Sequence, residues 1–548
     1  MTETKQETES QRSTGSRNRA AGSLPVARRG IFCWRKYCVI VLALGSLWLW
    51  AGPVSHADGP SPAAPAVSRL NVLFILIDDH AANMVSLLDE SIVRTPNMER
   101  LAARGTWFAR AYNDAPACCP SRTAFLTGVH AARSGVYYNA QAFRRTKSPI
   151  AQAETLHAHF LQNGYLTAGY GKIAHTRYQN DNLDDFTPGF RVGHRDRTHV
   201  THTDADLVKF ILPETLRIPD PDYLPTRFGA LPDDWDRDDP QKLQEDTEHA
   251  NHTIAFLRMK HDQPFFVTCG FWRPHSERIV PKRYFDMYPL ESIQIPPSYR
   301  ADDLEDVPAP GRWRATKRGT HAAVVNAGLW REYLRSYYAA TTYIDEQIGR
   351  VLDALDESPY ASNTIVVFAS DNGYNAGEKN MWAKFALWEQ TCRVVFAIAV
   401  PGWPRQMLPT PVSLIDLYPT LLALCGLPPP SKQTLDGVDL TPLLKGHTIE
   451  RGKPVLSTYG EGNHSIRDWR FRYIRYRNGD EELYDHAADP YEWFNVAGNP
   501  RFLAVKADLA RWLPTANAPE IEPAGAWDGS ELRADMFEAW AKPRAPEK

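Results

Sequence analysis

The sequence predicts an α/β fold: a large sheet of buried strands sandwiched by helices, with a smaller C-terminal domain built on an antiparallel sheet. Continuous apolar runs stop abruptly at polar residues, as where Asn71-Val72-Leu73-Phe74-Ile75-Leu76-Ile77 meets Asp78-Asp79. A strand covered on both faces reads this way because neither of its faces alternates with water. Such runs alternate with amphipathic stretches, the pattern of βαβ units. Toward the C-terminus the pattern changes to apolar/charged alternation, as in Arg470-Phe471-Arg472-Tyr473-Ile474-Arg475-Tyr476, followed by the hairpin signal Asn478-Gly479.

From the N-terminus, residues 1–57 read as a signal peptide. A basic lead ending in Arg28-Arg29 and Arg35-Lys36 precedes the apolar stretch Tyr37 to Trp50, which closes on Ser55-His56-Ala57. The expectation is a secreted or periplasmic protein. The apolar core is shorter than the ~20 residues of a membrane span, so membrane attachment follows only if the segment stays uncleaved as an anchor. The whole chain has 62 Lys plus Arg against 65 Asp plus Glu, a net charge of −3. The leader holds eight of the bases and three of the acids, so the remainder carries −8. This excludes a nucleic-acid binder working by overall positive charge. At 43% apolar and 23% charged, the composition also excludes a disordered chain or a multi-span membrane protein.

A Pro/Ala/Ser linker, residues 58–68, is expected to lead into the main α/β domain, residues 69–445, and a C-terminal subdomain, residues 446–548. Cys118, Cys119, Cys269, Cys392 and Cys425 lie beyond the leader; scattered like this they form neither a disulfide scaffold nor a CxxC zinc site. Four strands end at polar residues: Asn71–Ile77 at Asp78-Asp79, Tyr165–Tyr170 at Gly171-Lys172 and His175, Pro264–Thr268 at Arg273-Pro274-His275, and Thr364–Ala369 at Ser370-Asp371-Asn372. Open α/β sheets bind ligands beyond the carboxyl ends of their strands, so these four ends can share one crevice. Ile344, Ile348, Val351, Leu352 and Leu355 have helical spacing and predict a helix over residues 337–356 packed on the sheet.

The stretch Cys118-Cys119-Pro120-Ser121-Arg122-Thr123-Ala124-Phe125-Leu126-Thr127-Gly128 is the most specific. Pro120 suits a first helical turn and places Cys118 at a helix N-terminus, where unpaired N–H groups favour an anion. Arg122, one turn on, can bring a guanidinium to the same place. A nucleophile beside an anion cradle is implied.

These residues resemble the signature C-x-P-S-R followed by L-T-G of the type I sulfatases, in the alkaline-phosphatase-like superfamily, and within that family the chain is most similar to the iduronate-2-sulfatases. The resemblance implies a large mixed sheet sandwiched by helices. It further implies that a maturation enzyme oxidises Cys118 to formylglycine, whose hydrate is the nucleophile, with Cys119 a bystander. Asp78 and Asp79 match the first metal pair and Asp371 and Asn372 the second, Cys118 itself completing the metal's shell. Lys172, His175, His275 and Lys384 match further site positions. In the roles so implied, Arg122 and Lys172 hold the formylglycine, His175 its second hydroxyl, and His275 with Lys384 the sulfate and leaving oxygen. Two departures stand out: Asn372 and Lys379 occupy positions where the iduronate-2-sulfatases have His.

An oxygen-rich shell suits a hard cation, Ca²⁺ or alternatively Mg²⁺, rather than Zn²⁺. The implied activity is hydrolysis of sulfate esters, with a sulfated glycan as the expected substrate. A choline-sulfatase-like enzyme, a phosphate or phosphonate ester hydrolase and a non-catalytic glycan-binding protein are the alternatives. Arg144, Arg145, Arg191, His194, Arg195, Arg197 and His199 are either subsites for a polyanion or, as is commoner for charge runs, a solvated face.

Overall fold

The computed structural model describes residues 69–87, 91–175, 183–193, 228–231, 243–316 and 320–522. The leader, the linker, and His194, Arg195, Arg197 and His199 lie outside the described residues. Eight strands form the principal sheet: β1 (Asn71–Asp78), β2 (Thr106–Phe108), β3 (Leu166–Gly171), β4 (Arg191–Gly193), β5 (Phe265–Pro274), β6 (Thr364–Ser370), β7 (Phe396–Ala399) and β8 (Gln406–Leu408). Their order is β8-β2-β7-β6-β1-β5-β3-β4. The sheet is mixed: β6, β1, β5, β3 and β4 run parallel, and β7 is antiparallel to both β6 and β2. The predicted α/β class is therefore what the chain adopts.

The apolar runs work as the sequence requires. Along β1 alternate residues enter opposite cores: Val72, Phe74 and Leu76 face one side with helix α1 (Cys118–Thr127), through Phe125 and Leu126. Leu73, Ile75 and Ile77 face the other. There they meet helices α2 (Glu245–Arg258) and α3 (Trp330–Asp356), the latter through Ile344, Ile348, Val351, Leu352 and Leu355. Because successive strand side chains point to opposite faces, a run apolar at every position is buried only between two helical layers. Helix α3 starts seven residues before the predicted Tyr337, its first turns held by Trp330 and Tyr333 in an aromatic cluster. Strand β5 runs on to Pro274, six residues past the apolar run.

Toward the C-terminus a four-stranded antiparallel sheet forms from β9 (Val455–Thr458), β10 (His464–Arg467), β11 (Phe471–Arg475) and β12 (Glu481–Asp485). The Asn478-Gly479 signal closes the β11–β12 hairpin, with Gly479 at φ 91°. Among the described residues no helix is long and apolar enough to cross a membrane.

Candidate active site

The parallel strands deliver their polar ends to one place. In the register of the sheet, Asp78 lies opposite Pro274, so His275 leaves β5 beside the end of β1. Lys172 leaves β3 through a crowded crossing. A Cβ on Gly171 (φ 86°) would lie 1.9 Å from the Gly270 carbonyl, and one on Gly270 would lie 2.1 Å from the Lys172 carbonyl. Only glycines let the two backbones meet there, and the Lys172 N–H donates to the Gly270 carbonyl at 2.9 Å. Asp79 turns the chain with φ 58°, and Ala383 and Phe385, which bracket Lys384, have φ 76° and 79°. Left-handed backbone costs a residue with a Cβ about 1–2 kcal/mol. Strain is thus stored where Asp79 and Lys384 are delivered, as functional sites often show.

Helix α1 begins at Cys118, and Asn139 accepts the Cys119 N–H at 3.0 Å. The Cys118 thiol lies 2.8 Å from Lys384 Nζ and 3.4 Å from Asp78 Oδ1. Lys172 pairs with Asp78, and Lys384 with Asp79. Arg122 donates from Nε to Asp371 Oδ2 at 2.7 Å and from Nη1 to the Lys172 and Ile173 carbonyls at 2.7 and 2.9 Å. Ser121 of the same turn donates to the Asp371 carbonyl at 2.6 Å, which ties the helix start to the end of β6. Asp371 Oδ1 accepts the Asp79 N–H at 3.2 Å. His275 Nε2 is 3.5 Å from Asp79 Oδ2, and its Nδ1 donates to the Ser276 carbonyl at 2.6 Å, so in the neutral ring Nε2 presents a lone pair to the site. His175 lies within electrostatic reach of Lys172, Asp78, Lys384 and Arg122. Cys118, Arg122, Lys172, His175, His275 and Lys384 thus come together with Asp78, Asp79 and Asp371 in one crevice.

Titration follows from burial set against charge. Burial works to raise Asp78, but Lys172, His275 and Arg122 hold it well below the usual carboxylate range. At Asp371 burial wins over Arg122 and pushes the carboxyl up to about 6. Burial, reinforced by Asp78, raises the Cys118 thiol well above its ordinary value. His275 falls to about 4 through burial, and His175 falls well below 6.5 through burial and then Lys172. Lys384 resists its own burial because Asp79 and Cys118 favour its charged form.

The donors also fit a cation. One ligand atom from each of Asp78, Asp79, Cys118 and His275 lies within 4.8 Å of the others. Asn372 donates from Nδ2 to Asp79 Oδ1 at 2.7 Å, while its Oδ1 is buried with no hydrogen-bond partner. A buried orphan acceptor beside clustered carboxylates is the chemistry of an oxygen-ligated metal site.

Several neighbours carried no signal in the sequence. The Trp272 ring lies 4.1 Å from Lys172 Nζ and 4.3 Å from the His275 ring, so one side chain packs against both. Tyr337, on α3, donates to the Asp79 carbonyl at 2.6 Å. Of the basic residues offered as subsites, Arg191 donates to the Gly169 and Gly171 carbonyls, and Arg144 pairs with Asp185 at 2.6 Å. Arg145 is exposed. The departure at Lys379 leads away from the crevice: its ammonium pairs with Asp303 at 2.7 Å and bonds the Glu492 carbonyl.

Comparison with known proteins fits this geometry. The sulfatase family matches residues 70–427, and the family described as N-sulphoglucosamine sulphohydrolase, C-terminal, matches residues 377–518. A sulfatase of Formosa agariphila is 35% identical over 488 residues, covering 84% of this chain and 90% of that protein. The iduronate 2-sulfatase of Homo sapiens is 27% identical over 497 residues, covering 86% and 82%. Among solved structures, the phosphonate monoester hydrolase of Agrobacterium radiobacter shares the fold, with a TM-score of 0.64 at 22% identity over 85% of this chain and 96% of that one. With a family match spanning most of the described chain and relatives of this similarity along its length, the protein belongs to the sulfatase family and is a sulfuric ester hydrolase.

Proposed function

We propose that this chain hydrolyses sulfate esters on sugar units of a sulfated polysaccharide, after Cys118 has been converted to formylglycine by a maturation enzyme. The observation that carries the reading is the setting of Cys118. Its sulfur sits at the focus of the crevice, 2.8 Å from Lys384 and 3.4 Å from Asp78, yet burial and Asp78 keep it a thiol. The thiolate is the reactive form of cysteine, so an unmodified Cys118 here is a poor nucleophile. A hydrated aldehyde at the same position supplies a hydroxyl nucleophile that needs no thiolate.

Asp78, Asp79, Asp371 and Asn372 would hold the cation, Ca²⁺ by the hardness of its donors or Mg²⁺, with the residue at position 118 beside it. When bound, it polarises a sulfate oxygen as a Lewis acid. The chain's own residues do the rest. Lys172 holds Asp78 as a carboxylate beside position 118, and Arg122 fixes Asp371 in place through its Nε. Lys384, kept protonated, presents N–H donors to charge developing on the sulfate oxygens and is the proton-bearing group nearest position 118. His275, kept neutral, orients its Nε2 toward the same space, and His175, within electrostatic reach of Lys172, Asp78 and Lys384, would serve the nucleophile's second hydroxyl. A glycan substrate accords with the relatives and with an exported protein, whose leader would be residues 1–57.

Mass spectrometry of the tryptic peptide spanning Ala111 to Arg122, from protein produced with its maturation enzyme, tests the reading. Conversion of the Cys118 thiol to an aldehyde or its hydrate is the expected result. Thiols at both Cys118 and Cys119 in active, exported protein would overturn it. A panel of sulfated sugars, choline sulfate and phosphonate monoesters then separates the substrate classes.

A further inference from the structure

Arg278 is fully buried, just beyond β5 on the short strand Arg278–Pro281. Its Nε donates to the Pro274 carbonyl at 3.0 Å, but Nη1 and Nη2 are buried with no hydrogen-bond partner. A buried, unpaired guanidinium is costly, and a Met or Leu would fill the same space more cheaply. Its surroundings give the cation a use. The guanidinium carbon lies 4.5 Å from the centroid of the Tyr337 ring and 4.7 Å from that of Tyr374, and the two rings lie 5.2 Å apart. The electron-rich faces of two tyrosines attract a desolvated cation where carboxylates are absent.

Each group that Arg278 touches leads to a different arm of the crevice. Tyr337 donates its hydroxyl to the Asp79 carbonyl at 2.6 Å and accepts the Ala81 N–H at 2.8 Å, so it holds both sides of the strained Asp79 turn. Tyr374 follows Asn372 by two residues, its N–H anchored on the Gln390 carbonyl at 2.9 Å. Pro274 immediately precedes His275. One planar side chain thus joins the segments that carry Asp79, Asn372 and His275, none of which lies near it in sequence except the last. A flexible apolar residue can fill the volume but cannot fix the mutual tilt of two rings and a carbonyl.

We propose that Arg278 is a positioning residue that sets the Asp79–Asn372 side of the cation site by clamping Tyr337 and Tyr374 against the turn leading into His275. The proposal rests on the reading that these residues hold a divalent cation. Outer groups that orient metal ligands typically change affinity by about 10–100-fold when removed.

The test compares wild type with Arg278→Met, Arg278→Lys, Tyr337→Phe and the Arg278→Met/Tyr337→Phe double variant. Ca²⁺ affinity is measured by calorimetry on metal-stripped protein, and kcat and KM are measured on a chromogenic aryl sulfate. Arg278→Met should weaken Ca²⁺ binding about 10-fold or more and lower kcat to a similar extent, with KM within about 2-fold. Arg278→Lys should recover part of the loss by restoring the charge. Because Arg278 acts through Tyr337, the double variant should bind Ca²⁺ little worse than Arg278→Met alone. Wild-type Ca²⁺ affinity and kcat in Arg278→Met, or losses that simply add in the double variant, would overturn the proposal. If Arg278→Met does not fold, Tyr337→Phe, which removes one oxygen, decides alone, and unchanged Ca²⁺ binding in it counts against the clamp. Wild-type protein that takes up no Ca²⁺ would overturn the reading of the site itself, and the two failures are thereby distinguishable.

Discussion

The crevice at Cys118 and the underside of the C-terminal sheet are built from the same materials: buried acids, arginines and a histidine. In each, ligand atoms crowd within 4.8 Å, from Asp78, Asp79, Cys118 and His275 in one and from Glu389, His486 and Glu492 in the other. They differ in how completely they are satisfied. Under the sheet, Arg472 uses its whole fork, donating from Nε to Glu492 at 2.6 Å, from Nη1 to Ser465 at 2.7 Å and to the Leu387 carbonyl, and from Nη2 to Glu389. His486 and the Glu389 N–H take up the oxygens of Glu492 at 2.9 and 2.8 Å. In the crevice an acceptor of Asn372 and a terminal nitrogen of Arg122 lack hydrogen bonds, and Lys384 faces a sulfur as well as a carboxylate. Under the sheet the gap is a donor, Arg467 Nε, 3.5 Å from Glu389, while every oxygen of Glu389 and Glu492 is bonded. A cluster with no oxygen left over has none to offer a cation and serves to hold elements together, whereas one with an orphan acceptor keeps a free valence for chemistry.

Cys118→Ala gives the comparison its sharpest test. Turnover should fall by about 10⁴-fold or more, as when a nucleophile is deleted, because no other group can take its place. The urea midpoint should stay close to wild type, since the thiol's contacts, Lys384 and Asp78, keep their pairs with Asp79 and Lys172. Retained turnover would place the chemistry elsewhere.

The reverse pattern is expected under the sheet. Arg472→Met leaves Glu492 buried without its main cation and takes one of several partners from Glu389, and removal of one partner from such a network typically costs about 3–5 kcal/mol. Equilibrium unfolding in urea should show that loss, while kcat of the fraction that remains folded stays within about 2-fold of wild type. A large fall in kcat at unchanged stability would show that this cluster also does chemistry.

Acid titration separates the clusters further. Burial works to raise Glu389 and Glu492, but His486 with Arg467 at the first and Arg472 at the second hold both below 4.5. With folded values depressed, the network's contribution is fully present above 4.5 and is lost as the pH falls from there through the folded values. Asp371 has the opposite sign: raised to about 6 by burial, it weighs against the metal-free fold above that pH and ceases to do so on protonation. Urea midpoints of metal-stripped protein should therefore hold or rise between pH 7 and 5, then fall below 4.5. Arg472→Met should lose the share of the acid-side fall that Glu492 supplies. An unchanged slope in that variant would mean that other carboxylates dominate acid unfolding.

How much of this was legible in the sequence divides along the same line. Asp78-Asp79 and Asp371-Asn372 stood out because each follows a strand apolar at every position, and the carboxyl ends of such strands are where open α/β sheets form their crevices. The Asn478-Gly479 turn was legible because its backbone requirement is local. Tyr337, Trp272 and Arg278 were not. A tyrosine on a long amphipathic helix reads as core, and only the packing of α3 against the end of β1 brings its hydroxyl to Asp79, across 258 residues of chain. The C-terminal network was hidden for a related reason: Arg472 sits in a strand whose alternation marks it as facing water, and its burial comes from Glu389, 83 residues away, and Glu492. Local patterns report what each residue needs, and pairing between distant segments decides which needs are met.

Cys119 supplies the smallest expected effect and the finest check on register. It neighbours Cys118 on the same helix and is as deeply buried, but its sulfur turns away, to the Gln141 carbonyl at 2.9 Å, in a cluster with Val136, Phe143 and Ile150. Cys119→Ala removes one sulfur from an apolar contact set and should cost about 1 kcal/mol or less, with kcat and KM unchanged. Paired assays of Cys118→Ala and Cys119→Ala on one sulfate ester carry the decision. Equal losses would mean that the two thiols share the work, which the geometry of α1 forbids, because consecutive helical residues point about 100° apart and only one of them can face Lys384.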